Sequence, residues 1–140
     1  MSDEALALNI TNIITDSDLD GVVTGAILRR WWPNAEIKFG HPGNLRAGMM
    51  DHLINRNTAI CDLPRHPKCG LSIDHHQSNK PIEKNDSETV VLWEETPSAA
   101  RIAYNILKGK LDLTDLTEMM VWVDKLDGGS ITIKEFMGQN

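Results

Sequence analysis

The sequence predicts an α/β domain with a mostly parallel five-stranded sheet and helices on both of its faces. Short runs rich in β-branched residues alternate along the chain with longer runs in which apolar residues recur at helical spacing. Strands and helices that alternate with short links are typical of βαβ units, whose parallel sheets are covered on both sides. The 140 residues, of which 41% are hydrophobic and 24% charged, suit one domain over residues 1–140.

The predicted elements follow one another in a regular order. Short apolar or alternating runs bounded by turn-forming residues predict strands over residues 9–15, 35–39, 58–63, 71–73 and 89–93. Apolar residues at helical spacing predict helices over residues 22–32, 45–53, 97–107 and 113–123. Pro33 ends the first helix, and Thr96 is the expected N-cap of the helix that Pro97 opens. A weakly alternating run at 131–136 predicts an edge strand.

Acidic and imidazole side chains stand where three of the predicted strands end. In chain order they are Asp16, Asp18 and Asp20, then Asp62, then Asp74, His75 and His76. Because ligands bind at the carboxyl ends of parallel strands, which share one edge of the sheet, we expect these side chains to meet there. Unpaired carboxylates at this density repel one another, and a polyvalent cation is the natural way to hold them together. The pattern therefore predicts metal-dependent phosphate chemistry.

The acidic loop that begins at Asp16 has other interpretations. A solvated turn whose acids cap the next helix is the plainest of them. An EF-hand loop has the same opening, but its twelfth position requires a bidentate Glu, and that place holds Ile27. In haloacid-dehalogenase-like phosphatases a strand runs directly into a nucleophilic Asp, here Asp18, assisted by further acids: Asp20, Asp124 and Asp127. That interpretation gives no role to Asp62 or to the Asp-His-His triplet.

Four motifs stand in order along the chain: Asp16-x-Asp18-x-Asp20-Gly21, the strand-end Asp62, Asp74-His75-His76, and an acid after a later helix. In this order they resemble the motifs of the DHH phosphoesterase family. The resemblance extends over roughly residues 10–128 and includes the Thr-Pro-Ser-Ala-Ala run at 96–100, which is similar to a helix start of that family. Family II pyrophosphatases have His where this chain has Ile14, whereas the RecJ-type exonuclease branch has Asp-x-Asp-x-Asp-Gly, as found here.

The resemblance implies a DHH-like N-terminal catalytic domain that holds two divalent cations. Asp16 and Asp18 would bind the first cation, and Asp62 would bridge the two. The remaining ligands of the second cation would be Asp20, His75 and Asp124. Asp127 is the alternative to Asp124. Carboxylate oxygens mixed with imidazole suit Mn²⁺ best and Mg²⁺ next.

The implied reaction is hydrolysis of a phosphodiester in a nucleotide, an oligonucleotide, single-stranded nucleic acid or a cyclic dinucleotide. Besides Asp62, the implied catalytic residues are His76, which would face the substrate phosphate, and Asp74, which would orient the His75 ring. His41 and Arg65, in loops after the second and third strands, are expected substrate contacts.

Members of the family usually carry a C-terminal domain that binds substrate. We therefore expect one of three situations. The chain is a fragment, or a second copy or another partner supplies the missing part of the substrate site, or the chain is a catalytically weak metal- and nucleotide-binding module. Poor positioning of the substrate would make turnover by the isolated chain weak.

The net charge and the cysteine content further narrow the kind of protein, and the compartment, that the sequence predicts. The net charge of −6 argues against extensive wrapping of nucleic acid, which requires many cations against phosphates. No apolar stretch approaches the ~20 residues of a membrane span. Cys61 and Cys69 favour a reducing compartment, so we expect a cytoplasmic protein. Their spacing to His66 and His75 is irregular for a zinc site, and buried thiols are expected instead.

Overall fold

The computed structural model describes residues 2–81 and 88–127 as a five-stranded parallel sheet with helices on both sides. The strands are β1 Asn12–Asp16, β2 Glu36–Gly40, β3 Thr58–Cys61, β4 Leu71–Asp74 and β5 Val90–Trp93. Their order across the sheet is β2-β1-β3-β4-β5, and each neighbouring pair is parallel. The predicted α/β fold class is confirmed.

The α-helices of the described residues are α1 Ser2–Leu6, α2 Leu19–Trp31, α3 Pro42–Arg46, α4 Ala99–Leu107 and α5 Thr117–Asp127. Short 3₁₀ turns lie at Asp51–Leu53, Gln77–Asn79 and Thr114–Leu116. The sequence analysis does not predict α1; the indole N–H of Trp31 donates to the carbonyl of Leu6 at its end, and the indole N–H of Trp32 donates to the carbonyl of Leu8, just after it. None of these helices is long and apolar enough to cross a membrane.

The sheet separates two apolar cores of unequal size. The larger core packs α1, α2, α4 and α5 against one face, and Ile13 and Ile73 are among its strand residues. The smaller core lies on the opposite face, where Ile14 and Ile60 meet Leu45 of α3. Alternate strand residues point to opposite faces, so adjacent isoleucines in β1 belong to different cores. Burial on both faces explains why all residues of β3 and β4 are buried.

The predicted helix over 45–53 is wrong in its bounds. The structure instead has α3, which overlaps only positions 45 and 46 of that range, and the 3₁₀ turn Asp51–Leu53, with Gly48 between them. Gly48 adopts φ 77°, a left-handed conformation that ends a helix. The last helix begins later than predicted, after the turn Thr114–Leu116, and continues to Asp127. The predicted strand at 131–136 lies outside the described residues.

The N-cap of α4 is Ser98 rather than the predicted Thr96. The Ser98 hydroxyl oxygen accepts a hydrogen bond from the Arg101 amide at 3.0 Å, which is the bond that defines a cap. The Thr96 hydroxyl instead donates to the Ser98 carbonyl at 2.8 Å. Residues 96–98 therefore form a tight turn that leads into α4.

The parallel register brings the carboxyl ends of the strands to one edge. Thr15 and Ile73 both lie opposite Cys61, on either side of the central strand β3. Asp62, which follows Cys61, is therefore flanked by the loop after β1 and by the loop after β4. This edge is where ligands bind in open parallel sheets.

Candidate metal centre

Carboxylate and imidazole groups from separate chain segments converge at this edge. In three sets the ligand atoms lie within 4.8 Å of one another: Asp16, Asp18 and Asp62; Asp20, Asp62, His75 and Asp127; and Asp62, Asp74, His75 and His76. Asp62 belongs to all three sets, as its place after the central strand requires. The structure thus brings together the acidic loop after β1, Asp62 and the Asp-His-His triplet.

The first acidic loop is fixed by hydrogen bonds of its own. Asp18 is the N-cap of α2, and its Oδ1 accepts from the Gly21 amide at 2.8 Å. Asp16 Oδ1 accepts from the Ser17 amide at 2.7 Å. A Cβ atom at position 21 would lie 2.0 Å from the carbonyl oxygen of Asp16, so only glycine allows α2 to begin so close to the strand. The loop thereby holds both acids within 4.8 Å of Asp62.

Asp20 lies in the first turn of α2, but its carboxylate is bound by the N-terminus of α4. Its Oδ2 accepts from the Ala99 amide at 2.9 Å, and its Oδ1 accepts from the Ala100 amide at 2.8 Å. Burial alone would raise the pKa of Asp20, but the nearby His75 imidazole and the hydrogen bonds from the Ala100 and Ala99 amides outweigh it and hold this pKa below its ordinary value. The positive end of the α4 dipole favours the same ionised form. Asp20 is therefore an ionised carboxylate at neutral pH, the form that can bind a cation.

Asp62 is the least satisfied residue of the cluster. It has φ 60°, a left-handed conformation that Asp tolerates better than most residues. Its side chain is buried, and neither carboxylate oxygen has a hydrogen-bond partner among the described residues. Burial, followed by the charges of Asp20 and Asp18, raises the pKa of Asp62 to about 11. A buried carboxylate without a donor is costly, so its oxygens are suited to a cation.

His75 is held so that its Nε2 faces the acids. Its Nδ1 lies 3.1 Å from the Thr96 carbonyl oxygen, which fixes the ring and leaves Nε2 as the atom that could bind a cation. Nε2 lies 2.6 Å from Asp127 Oδ2, 3.4 Å from Asp20 Oδ2 and 3.7 Å from Asp62 Oδ1. Despite these short distances, Nε2 makes no well-directed hydrogen bond to any described residue. Burial alone would lower the pKa of His75, but Asp127 and Asp20 raise it to about 10.

The second imidazole of the triplet, His76, is partly exposed and is held by Asp74. Its Nδ1 lies 2.6 Å from Asp74 Oδ1, and this hydrogen bond raises the pKa of His76. Asn79 Nδ2 donates to the other oxygen of Asp74 at 2.5 Å. The prediction that Asp74 orients His75 therefore needs correction: Asp74 orients His76, because a backbone carbonyl already binds the Nδ1 of His75.

Asp124 is the acid after the last predicted helix that we rank first as a cation ligand. Its carboxylate is instead hydrogen-bonded to residues outside the cluster. Its Oδ1 accepts from the Ser98 hydroxyl at 2.7 Å, and its Oδ2 accepts from the Arg101 guanidinium at 2.9 Å and 2.6 Å. Asp127, one turn further along α5, lies in the cluster instead. The geometry therefore favours Asp127 as the ligand, because Asp124 already has a cation, Arg101, as its partner.

The same geometry disfavours the haloacid-dehalogenase-like interpretation. It requires Asp124 and Asp127 to bind one magnesium ion, but Asp124 belongs to the ion pair with Arg101. It also requires a strand that runs into Asp18, whereas β1 ends at Asp16 and Asp18 caps α2.

The predicted substrate contacts lie outside the cluster. His41 is exposed between β2 and α3, and Arg65 is half-buried in the loop after β3. Within the described ranges, no hydrogen bond or ion pair joins either residue to the acids. Cys61 and Cys69 are free and buried in different cores, which disfavours a zinc site between them.

Several supporting groups were missed at the sequence level: the Thr96 carbonyl, Asn79, Ser98 and Arg101. Ser98 could have been identified as a cap from the run of alanines that follows it. The other contacts join positions far apart in the chain, such as Arg101 and Asp124, and no local pattern indicates them.

The donor set fits divalent cations. The set of Asp16, Asp18 and Asp62 and the set of Asp20, Asp62, His75 and Asp127 together offer carboxylate oxygens and one imidazole nitrogen, which are the ligands that Mn²⁺ and Mg²⁺ accept. The buried atoms that lack partners among the described residues, both oxygens of Asp62 and the Nε2 of His75, are the atoms that a cation here would satisfy.

No family model and no curated protein sequence matches the chain. A solved structure, the pGpG-specific phosphodiesterase PggH from Vibrio cholerae, matches with a TM-score of 0.67 and 28% sequence identity. The match covers 86% of this chain and 38% of that chain, so this chain spans well under half the length of PggH. The likeness confirms the resemblance to DHH-type phosphoesterases that the motifs indicate.

Proposed function

We propose that this DHH-type domain hydrolyses a phosphodiester bond in a nucleotide with the help of two divalent cations. One observation carries the proposal: the unpartnered oxygens of Asp62 lie between two groups of ligand atoms that share them. The likeness to PggH, which is described as specific for pGpG, supports a dinucleotide as the substrate class.

Each proposed cation has its own ligands. Asp16 and Asp18 hold the first, and Asp62 is shared. Asp20, His75 and Asp127 complete the second. The mixture of oxygen ligands with one imidazole favours Mn²⁺, with Mg²⁺ as the alternative. When bound, the cations would lower the pKa of an attacking water and stabilise negative charge on the phosphoryl oxygens.

The protein's own residues orient and neutralise the substrate. Asp74 accepts the Nδ1 proton of His76 and so leaves the Nε2 of this partly exposed ring to interact with a substrate. Asp74 raises the pKa of His76 and so favours the protonated imidazole, the form that can contact a phosphate oxygen or donate a proton to the leaving oxygen. His41 and Arg65 remain proposed substrate contacts at the rim.

A second candidate is a metal- and nucleotide-binding module with little turnover. The observation that favours it is that the match covers only 38% of PggH, so most of that chain lies outside the matched part. Groups that position the substrate would then come from a second domain, a second copy or another partner. The free, buried thiols of Cys61 and Cys69 are consistent with the proposed cytoplasmic location.

The test combines a binding and an activity measurement on the 140-residue chain. We expect Mn²⁺ to raise the melting temperature by mass action and to permit hydrolysis of pGpG or an aryl phosphodiester. Asp127→Asn should weaken both effects, and the exposed Glu118→Gln, which removes the same charge from the same helix, should change neither.

The outcomes separate the candidates. Stabilisation by Mn²⁺ without hydrolysis of either diester would favour the binding module. Absence of any Mn²⁺ effect on melting or activity would contradict the metal-dependent proposal altogether.

A further inference from the structure

We propose that Asp124 is a positioning residue that sets the cation affinity of the cluster by joining α5 to the N-terminus of α4. This inference rests on the proposed function, because it assigns Asp124 a role in the same metal centre. The residue acts through Ser98 and Arg101 and does not contact the cation itself.

Both oxygens of the Asp124 carboxylate are hydrogen-bonded, which is the first observation behind this inference. The carboxylate accepts three hydrogen bonds, one from Ser98 and two from Arg101, at distances between 2.6 and 2.9 Å. The Arg101 and Asp124 side chains are only 26% and 19% exposed, so the pair is partly removed from water. Two guanidinium nitrogens of Arg101 bind one oxygen of Asp124 and the Ser98 hydroxyl binds the other, so charge-assisted hydrogen bonds fix the orientation of the carboxylate between the two helices.

The second step connects this pair to Asp20 and His75. Ser98 caps α4, and the next two amides, those of Ala99 and Ala100, bind the two oxygens of Asp20. The Thr96 carbonyl oxygen, in the same turn, lies 3.1 Å from the Nδ1 of His75. One short turn, residues 96–100, therefore holds two ligands of the second cation and is itself held by Asp124.

The third step connects the pair to Asp127. Asp127 follows Asp124 by three positions, so the two side chains project from the same side of α5 one turn apart. Only Met120 and Val123 of this helix are buried, and a helix of 11 residues is not stable by itself. The Asp124 contacts are thus a main constraint on where Asp127 lies relative to His75.

The same contacts argue against direct ligation by Asp124. A cation bound to its carboxylate would displace Arg101 and leave a partly buried guanidinium without its partner, which is strongly unfavourable. Asp127 has no such competitor, since its close cationic contact is His75, a ligand of the same proposed site.

The experiment is a double-mutant cycle read out as Mn²⁺ affinity. Mn²⁺ binding to wild-type protein, Asp124→Asn, Arg101→Gln and the double variant is measured by calorimetry well below the melting temperature of each. We expect each single substitution to weaken the second Mn²⁺ by about 10-fold, the lower end of what loss of a supporting partner costs. The double variant should be no weaker than either single variant, because both remove the same interaction.

Asp115→Asn is the matched control. Asp115 forms a bidentate ion pair with Arg30 of similar length, but this pair ties α2 to the turn Thr114–Leu116 rather than to the cluster. The Asp115→Asn substitution should leave the Mn²⁺ affinity unchanged. Arg101→Lys, which keeps the charge but loses the forked geometry, should restore only part of the affinity.

Loss of the second Mn²⁺ in Asp124→Asn with unchanged binding in Arg101→Gln would overturn the inference and make Asp124 a ligand. Unchanged affinity in both variants, with lower melting temperatures, would also overturn it and leave the pair a purely structural contact. If wild-type protein binds no Mn²⁺, or if Asp62→Asn binds it normally, the proposed function fails as well.

Discussion

Replacement of Asp62 by Asn should stabilise the cation-free protein and abolish its response to Mn²⁺. The carboxylate is buried without a partner among the described residues, and its pKa of about 11 means that the free protein must keep it protonated at neutral pH. Relative to an ordinary Asp pKa of about 4, that requirement costs up to about 4 kcal/mol at pH 7.

Asn removes this cost but leaves an amide that also lacks partners, a penalty of about 1–3 kcal/mol. Asn also tolerates the φ of 60° at this position. The net gain is therefore about 1–3 kcal/mol. At roughly 3 °C per kcal/mol for a domain of this size, the melting temperature of the cation-free variant should rise by about 3–9 °C.

The assay is thermal denaturation of both proteins in a chelator and in excess Mn²⁺. Asp62→Asn should melt higher than wild type in the chelator and lower, or equally, in Mn²⁺, because only wild type gains stability by binding. Glu118→Gln, an exposed acid on α5, should follow wild type in both conditions. A variant that melts lower than wild type in the chelator would refute the reasoning about the unpaired carboxylate.

Three further predictions concern other parts of the centre. Gly21→Ala should destabilise the protein by about 1–3 kcal/mol in denaturant titrations and weaken Mn²⁺ binding, because the new Cβ would meet the Asp16 carbonyl. Normal Mn²⁺ binding by this variant would contradict the prediction. His76→Gln should lower kcat by about 10²-fold while leaving the Mn²⁺ affinity within about 2-fold in calorimetry; equal loss of both would make His76 a ligand. The cation-free protein should lose stability between pH 7 and 10, because the folded-state pKa values of Asp62 and His75 both lie above their ordinary values. In this range the folded protein binds more protons than the unfolded chain, so its stability falls as the pH rises. Denaturation midpoints that rise with pH would contradict this prediction.

The fold could be predicted because its signals are local. The apolar runs of β3 and β4 and the helical spacing of α2 are each visible within a few residues, and parallel connectivity follows from their alternation. The convergence of ligands at the sheet edge follows from the same topology, because Asp62 and Asp74 stand at strand ends whatever the details of packing.

The details of the centre could not be predicted because they depend on contacts between distant positions. Asp124 and Asp127 are equivalent acids in the sequence, and only the position of Arg101, 23 residues earlier than Asp124, distinguishes them. The orientation of His75 likewise depends on the Thr96 carbonyl, 21 positions away. The predicted helix over 45–53 is wrong for a different reason, because Gly48 has a left-handed conformation that the apolar spacing of this segment does not indicate.

Anomalous diffraction from crystals grown with Mn²⁺ tests the central claim most directly. We predict two anomalous peaks about 3.5–4 Å apart, both in contact with the Asp62 carboxylate, one beside Asp16 and Asp18 and the other beside His75 and Asp127. Crystals at full Mn²⁺ saturation with no peak at Asp62 would contradict the account.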